Sequence, residues 1–210
     1  MEPLTITLGR VEKRFTQRPV FKPVSFESSS SEIIAITGAN GAGKSTLLKI
    51  IAGVLAPTKG SCEWTVERKK LDPDAIRIRM GYAAPYLELY GELTAVEHMQ
   101  FVAEMKGIPL SNARDLLEKF GLDPAITQSD RRLRAYSSGM KQRVRSAMAF
   151  ACSPSVLFLD EPTSNLDEVG TFALLAQATE AAQNGAIVFI ATNDERERSL
   201  AHREIHLESA

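Results

Sequence analysis

The chain lacks most of the features that would assign it to a specialised class. It has only 2 cysteines in 210 residues, Cys62 and Cys152, far apart and forming no C-x-x-C pair. No metal or redox motif follows, and both are expected to be packing thiols in a reducing compartment. Charge of one sign is also lacking. Against 26 Asp and Glu stand 25 Lys and Arg, a net charge of −1 with a pI near 6.3, so there is no electrostatic footprint for nucleic acid. No apolar run approaches the ~18 residues that span a bilayer. Residues 156–159 and 186–191 are only strand-sized. The opening Met1-Glu2-Pro3 lacks the charged-then-apolar order of a secretory leader. There are no internal repeats and no low-complexity segments. The expectation is a soluble, cytosolic chain whose 44% hydrophobic content suffices for a good core.

What is present reads as alternating elements. Residues 4–8 alternate with period two, a half-buried strand, and Val24-Ser25-Phe26-Glu27 is its expected antiparallel partner, with a turn at 28–31. The next strand is Ile33-Ile34-Ala35-Ile36. A helix carrying Lys44 should run through Leu47, Leu48, Ile50 and Ile51 to a cap at Gly53. Residues 62–66 and 76–84 read as strands. Thr94-Ala95-Val96-Glu97 is a capping box, predicting a helix that buries Val96, Met99, Phe101 and Val102 and stops near Gly107 and Pro109. Ser111 is the expected cap of the next helix, with Leu116, Leu117 and Phe120 on its apolar face. The α/β pattern resumes with a strand at 156–160, a helix at 168–183, Gly185 as punctuation and a strand at 186–192. His202 and His206 have helical spacing, but Ile205 and Leu207 predict a terminal strand, so no metal site is expected there.

The chemistry begins at Gly38-Ala39-Asn40-Gly41-Ala42-Gly43-Lys44-Ser45-Thr46, which fits G-x-x-x-x-G-K-[ST] between a buried strand and a helix start. Glycines let successive N–H groups converge on a phosphate, and the helix dipole favours the same anion. Lys44 adds a mobile charge for the outer phosphates, and the Ser45 hydroxyl can take one site on Mg²⁺. These residues predict a nucleoside triphosphate as ligand.

Two further segments admit two readings each. An apolar strand ends in Asp160-Glu161. In a P-loop core such an Asp attends Mg²⁺ and the adjacent Glu orients or deprotonates the attacking water; equally, Pro162 and Thr163 make a plain solvated turn. Tyr136-Ser137-Ser138-Gly139-Met140-Lys141-Gln142-Arg143 precedes an apolar helical stretch. It reads either as a serine N-cap with a basic surface, or as an anion seat of free N–H groups and hydroxyls. A second phosphate-facing helix start suggests ATP shared between two chains. The short basic patch Arg131-Arg132-Leu133-Arg134 is expected to be a solvated loop.

The order of these motifs, closing with Ser164-Asn165-Leu166-Asp167, closely resembles the nucleotide-binding domains of ATP-binding cassette (ABC) ATPases over nearly the whole chain. The resemblance implies an α/β fold: a P-loop NTPase core, a small antiparallel β subdomain and an inserted helical subdomain. The chain is expected to be one domain over 1–210, with the core at 1–85 and 152–210 and the helical part at 86–151. It implies Gly38 to Thr46 as Walker A, Ser137, Ser138, Gly139 and Met140 as the signature, and Asp160 and Glu161 as Walker B and catalytic base. Ser164 to Asp167 would be the D-loop across a dimer interface, and Ser45 and Asp160 the Mg²⁺ residues beside ATP. Phe15 stands where the family usually stacks an aromatic ring on adenine, and reads equally as a core or edge-strand residue.

Three departures stand out. The signature reads Y-S-S-G-M in place of L-S-G-G-Q, keeping Ser137 and Gly139. Pro85 occupies the place of a metal-contacting Gln and is expected to be a stiff hinge. Asn193 replaces a His that contacts the γ-phosphate. It still donates a neutral hydrogen bond but is shorter and cannot carry charge, a loss of roughly 1 kcal/mol. Hydrolysis is expected to be slow and not absent.

Three functions fit the motifs to different degrees. The favoured one is the ATPase subunit of a membrane transporter, which drives substrate through a separate membrane subunit by ATP-dependent dimerisation. A cassette acting on DNA or translation conflicts with the near-neutral charge. A weakly hydrolysing regulatory ATPase is the remaining alternative. The implied partners are a second copy or a paralogous cassette, in an ATP sandwich, and an integral membrane subunit docking near Tyr86-Leu87-Glu88-Leu89-Tyr90-Gly91-Glu92. No nucleic acid is expected, and the location would be cytoplasmic, on the inner face of the cell membrane.

Overall fold

The computed structural model describes residues 3–209. Two sheets organise it. An antiparallel sheet contains β1 (Leu4–Glu12), β2 (Val24–Ser29), β4 (Lys59–Val66) and β5 (Lys69–Lys70), in the order β2-β1-β4-β5. A parallel sheet contains β3 (Ile33–Thr37), β6 (Met80–Ala83), β7 (Val156–Asp160), β8 (Ile187–Ala191) and β9 (Arg203–His206), in the order β6-β7-β8-β3-β9.

The parallel strands β3, β7 and β8 are buried at every position, as expected of a sheet covered on both faces. Alternate residues serve two cores. Ile34, Ile36, Val156, Phe158, Ile187 and Phe189 face one cluster, with α1 (Lys44–Ile51) and the antiparallel sheet. Ile33, Leu157, Leu159, Val188 and Ile190 face the other, together with the helices α3 (Ala95–Met105), α4 (Ala113–Lys119), α6 (Ser138–Phe150) and α7 (Glu168–Gln183). The helical segment therefore shares its core with one face of the sheet. The indole N–H of Trp64 on β4 donates to the Ile51 carbonyl at 2.8 Å, fastening the antiparallel sheet to the end of α1.

Strand order decides where the loops meet. Because β6, β7, β8 and β3 are parallel neighbours, the segments after them emerge at one edge of the sheet, the usual ligand edge of such folds. That edge collects the Gly38–Gly43 loop, Asp160, Asn193 and Tyr86.

Several local expectations are corrected. Residues 76–84 are not one strand: α2 (Pro73–Arg79) precedes the short β6. Asp72 accepts the Ala75 N–H at 2.7 Å and Pro73 opens the helix, a start signal stronger than the local apolar alternation. Asn112, not Ser111, precedes α4, and its side chain makes no capping bond. Phe101 is exposed, because the buried face of α3 is Ala95, His98, Met99 and Ala103, and Val96 and Val102 are half-buried. Ser28 and Ser29 belong to β2, so the turn is confined to Ser30 and Ser31. The capping box at Thr94 and Glu97 is formed as expected, and α7 spans the residues foreseen.

Candidate functional site

At the end of β3 the chain turns through Gly38 to Gly43 before α1 begins. Gly41 and Gly43 have φ of 83° and 99°, values that favour glycine. A Cβ on Gly43 would also lie 2.6 Å from Val20 Cγ1. Lys44 is buried, and its ammonium donates to the carbonyls of Gly38 at 3.0 Å and Ala39 at 3.4 Å. Among the described residues no carboxylate pairs with it. A buried cation held only by neutral carbonyls is costly until an anion arrives. Unbonded N–H groups at the start of α1 point the same way.

Ser45 Oγ donates to Asp160 Oδ1 at 2.9 Å, across 115 residues of sequence. Asp160 is buried, and its Oδ2 accepts from the Tyr86 hydroxyl at 3.0 Å. The Tyr82 and Tyr86 hydroxyls are 2.9 Å apart. Burial pushes the Tyr82 phenol up to about 12 and raises the Tyr86 phenol too, so both keep their protons near neutrality. The hydroxyl and carboxylate of Ser45 and Asp160 are hard oxygen donors. They suit a small divalent cation that takes one or two protein oxygens and completes its shell with water and phosphate. Among the described residues no group of three or more His, Cys, Asp or Glu side chains gathers as an all-protein metal cage.

Glu161 is exposed and has a left-handed backbone, φ 44°, with its N–H on the Ala191 carbonyl at 2.9 Å. Such a conformation is uncommon in a non-glycine residue and tends to occur at functional sites. It follows from the turn that leaves β7 beside β8. Asn193, just past β8, is exposed, and its Nδ2 donates to Asn40 Oδ1 at 3.1 Å. Thus the Gly38–Thr46 segment, Asp160, Glu161 and Asn193 share one edge.

The residues Ser137, Ser138, Gly139 and Met140 start α6 in a second place. Ser137 caps the helix by accepting the Met140 N–H at 3.2 Å. A Cβ on Gly139 would come within 3.0 Å of the Asn165 carbonyl, so this helix start lies against the 164–167 turn. Asp167 caps α7 through the Gly170 N–H at 2.8 Å and pairs with Arg143. Among the described residues no hydrogen bond joins this group to the Gly38–Thr46 loop within the chain. Phe15 is two-thirds exposed at the tip of a loop whose base, Val20 and Phe21, touches Gly43. That placement excludes the core reading of Phe15. The Arg131 to Arg134 segment is not free: Arg132 pairs with Glu97 and Arg134 with Glu92, around the buried Leu133.

Three linking residues were missed from sequence. Gln142 on α6 donates to the Pro162 carbonyl at 3.0 Å, joining the helix start to the turn after Glu161. Glu197, buried on the short helix α8 (Glu195–Arg198), accepts from the Thr163 N–H and hydroxyl, and burial raises its carboxyl. Tyr86 reaches Asp160. Glu197 stands within the charged run Asp194-Glu195-Arg196-Glu197-Arg198, which reads as a solvated helix start and carried no signal for a buried carboxyl. For Tyr86 there was none beyond its position one residue after Pro85.

Comparison with known proteins agrees with this geometry. The profile of the ABC transporter family matches residues 21–164. EcsA, an ABC-type transporter ATP-binding protein of Bacillus subtilis, is 35% identical over 185 residues, which cover 85% of this chain and 73% of that protein. The lipoprotein-releasing system ATP-binding protein LolD 1 of Caulobacter vibrioides is 35% identical over 84% of this chain and 79% of its own length. Among solved structures, a dimeric post-hydrolysis state of the ATP-binding cassette MJ0796 bound to ADP and Pi has a TM-score of 0.84 at 26% identity, covering 97% of this chain and 94% of that one. The chain belongs to the ABC transporter family as an ATP-binding, ATP-hydrolysing cassette.

Proposed function

We propose that this cassette closes on Mg-ATP as a sandwich of two chains, a second copy or a paralogue, and so drives a separate membrane subunit. The observation that carries the reading is Lys44, buried beside the loop, whose hydrogen-bond partners among the described residues are carbonyls. Its charge and the N–H groups of Gly38 to Thr46 bind and orient the phosphates. Ser45 and Asp160 would hold Mg²⁺, which supplies charge neutralisation at the phosphates when bound. Glu161 orients and deprotonates the attacking water. Ser137, Ser138, Gly139 and Met140 form an open helix start that suits a phosphate presented by the other chain, with Asp167 beside it. Phe15 offers an exposed ring for adenine.

Residues 1–85 and 152–210 form the nucleotide-binding core in this reading, and 86–151 the helical subdomain. Leu87, Tyr90 and Phe101 are exposed on and beside the 86–92 segment, an apolar patch fitted to a membrane subunit at the cytoplasmic face. Asn193 contributes only a neutral contact, so hydrolysis is slow. That same feature, with Pro85, favours weakly hydrolysing regulation as the second reading.

Glu161→Gln keeps shape and hydrogen bonding but removes the base. With Mg-ATP this variant should elute as a dimer on size exclusion and lose turnover. Turnover equal to that of the parent chain would remove Glu161 from the reaction.

A further inference from the structure

The hydroxyls on Asp160 form a directed chain. An ionised carboxylate only accepts, so Tyr86 spends its single proton on Oδ2 and its oxygen accepts from Tyr82. Ser45 donates from the other side to Oδ1. Tyr86 is reached through a turn, Leu87 N–H to the Ala84 carbonyl at 3.1 Å, with Pro85 inside it. Pro85 has no side-chain donor, and the phenol one residue later covers that reach. Lys49 Nζ, from α1, sits 4.3 Å from the centre of the Tyr86 ring and holds it in place. Nearly half of Tyr86 is nevertheless exposed, 47%, at the start of the 86–92 segment. One side chain thus has its ring at the surface and its hydroxyl on the buried carboxylate.

We propose that Tyr86 is a positioning residue of the ATP site: its phenol fixes the Asp160 carboxylate for a cation on Ser45 and ties that carboxylate to the 86–92 segment. The proposal rests on the reading of Ser45 and Asp160 as the Mg²⁺ pair. It assigns to the phenol a link that Pro85 cannot make. Tyr86 is 47% exposed as a residue and stands outside both core clusters, so the Phe variant is expected to fold.

Tyr86→Phe keeps the ring and its contact with Lys49 and deletes both hydroxyl bonds, the one to Asp160 and the one to Tyr82. Calorimetric titration of the full chain with ATP, with and without Mg²⁺, reads the effect without turnover. The affinity in the absence of Mg²⁺ should stay unchanged. The factor by which Mg²⁺ tightens binding should fall roughly tenfold, the scale of one hydrogen bond to a charged group. Tyr82→Phe should lower that factor less, since the bond to Asp160 survives. Ser45→Ala and Asp160→Asn should abolish it. If those two variants keep the Mg²⁺ effect, the metal pair and the Tyr86 role both fall. If they lose it while Tyr86→Phe retains the full factor, or weakens Mg²⁺-free binding equally, only the role of Tyr86 is overturned.

Discussion

Arg143 holds Asp167 through Nη2, at 2.6 and 2.8 Å from its two carboxylate oxygens, while its Nη1 donates to the carbonyls of Phe120 and Gly121 at 3.2 and 2.6 Å. One guanidinium therefore joins the end of α4, the start of α6 and the turn before α7. The Asp167 side chain is 65% exposed, so the Coulomb attraction itself is modest. The main contribution is geometric. It sets the 164–167 turn against the Ser137–Met140 helix start, the two features that face the second chain in the proposed dimer.

Arg143→Lys keeps the charge and loses the planar fork. Hydrogen bonds to the two carbonyls and the second contact to Asp167 cannot all be remade. The expected cost is about 1–3 kcal/mol, read as a lower melting temperature, with weaker dimerisation in Mg-ATP. Unchanged melting and unchanged dimerisation would show that the fork is replaceable.

Much of this arrangement was legible in the sequence because it is local. The Lys44 loop, the buried apolar strands at 33–36 and 156–159, the capping box at Thr94 and the helix at 168–183 depend on neighbours within a few residues. Ile76 and Ile78 misled, because short alternation fits a strand while Asp72 and Pro73 dictate a helix start. Phe101 misled because it is apolar yet two positions from Met99, off the buried stripe. Tyr86 reads from the sequence as a surface residue; it is 47% exposed, yet its hydroxyl lies on Asp160. A contact spanning 74 residues of chain depends on β6 lying next to β7, which no local pattern specifies.

Glu197 gives a pH prediction. Its carboxyl is raised in the folded state, chiefly by burial. The unfolded chain, with an ordinary value of about 4.3, releases its proton first as pH rises. Stability from this group is therefore fully present at low pH and falls as pH climbs from that value through the folded one. Glu197→Gln cannot titrate, so its stability relative to the parent chain should improve steadily over that interval. Thermal melts across mildly acidic to neutral buffers check this. Parallel melting curves for both proteins would mean that Glu197 is charged throughout.

The proposed docking patch is best tested at Tyr90. Leu89 is half-buried against the helical core, so its truncation would report on packing. Tyr90 is 62% exposed, resting on His98 at 5.4 Å and edge-on to Phe101 at 5.5 Å. Tyr90→Ala should leave basal ATP hydrolysis and melting nearly unchanged. Recovery of the membrane subunit in a pull-down from membranes should drop severalfold, since exposed aromatic anchors dominate such interfaces. Full recovery of that subunit would move the docking surface elsewhere.

The slow-hydrolysis reading turns on Asn193. Its amide is engaged by Asn40 of the phosphate loop at 3.1 Å, so the contact made here is neutral and directed at the loop itself. A histidine at this position is longer and can carry a proton charge, which stabilises charge developing on a transferring phosphoryl group. Asn193→His should therefore raise turnover at saturating Mg-ATP. A gain of ~1–3 kcal/mol in transition-state stabilisation corresponds to roughly 5- to 150-fold in rate. The substitution also breaks the bond to Asn40, and Asn40→Ala breaks the same bond without supplying an imidazole. If turnover rises only in Asn193→His, the missing element is the charged contact. An equal rise in both variants would instead identify the Asn40–Asn193 bond as the restraint on hydrolysis. No rise in either would show that neither the bond nor the lost imidazole limits the rate.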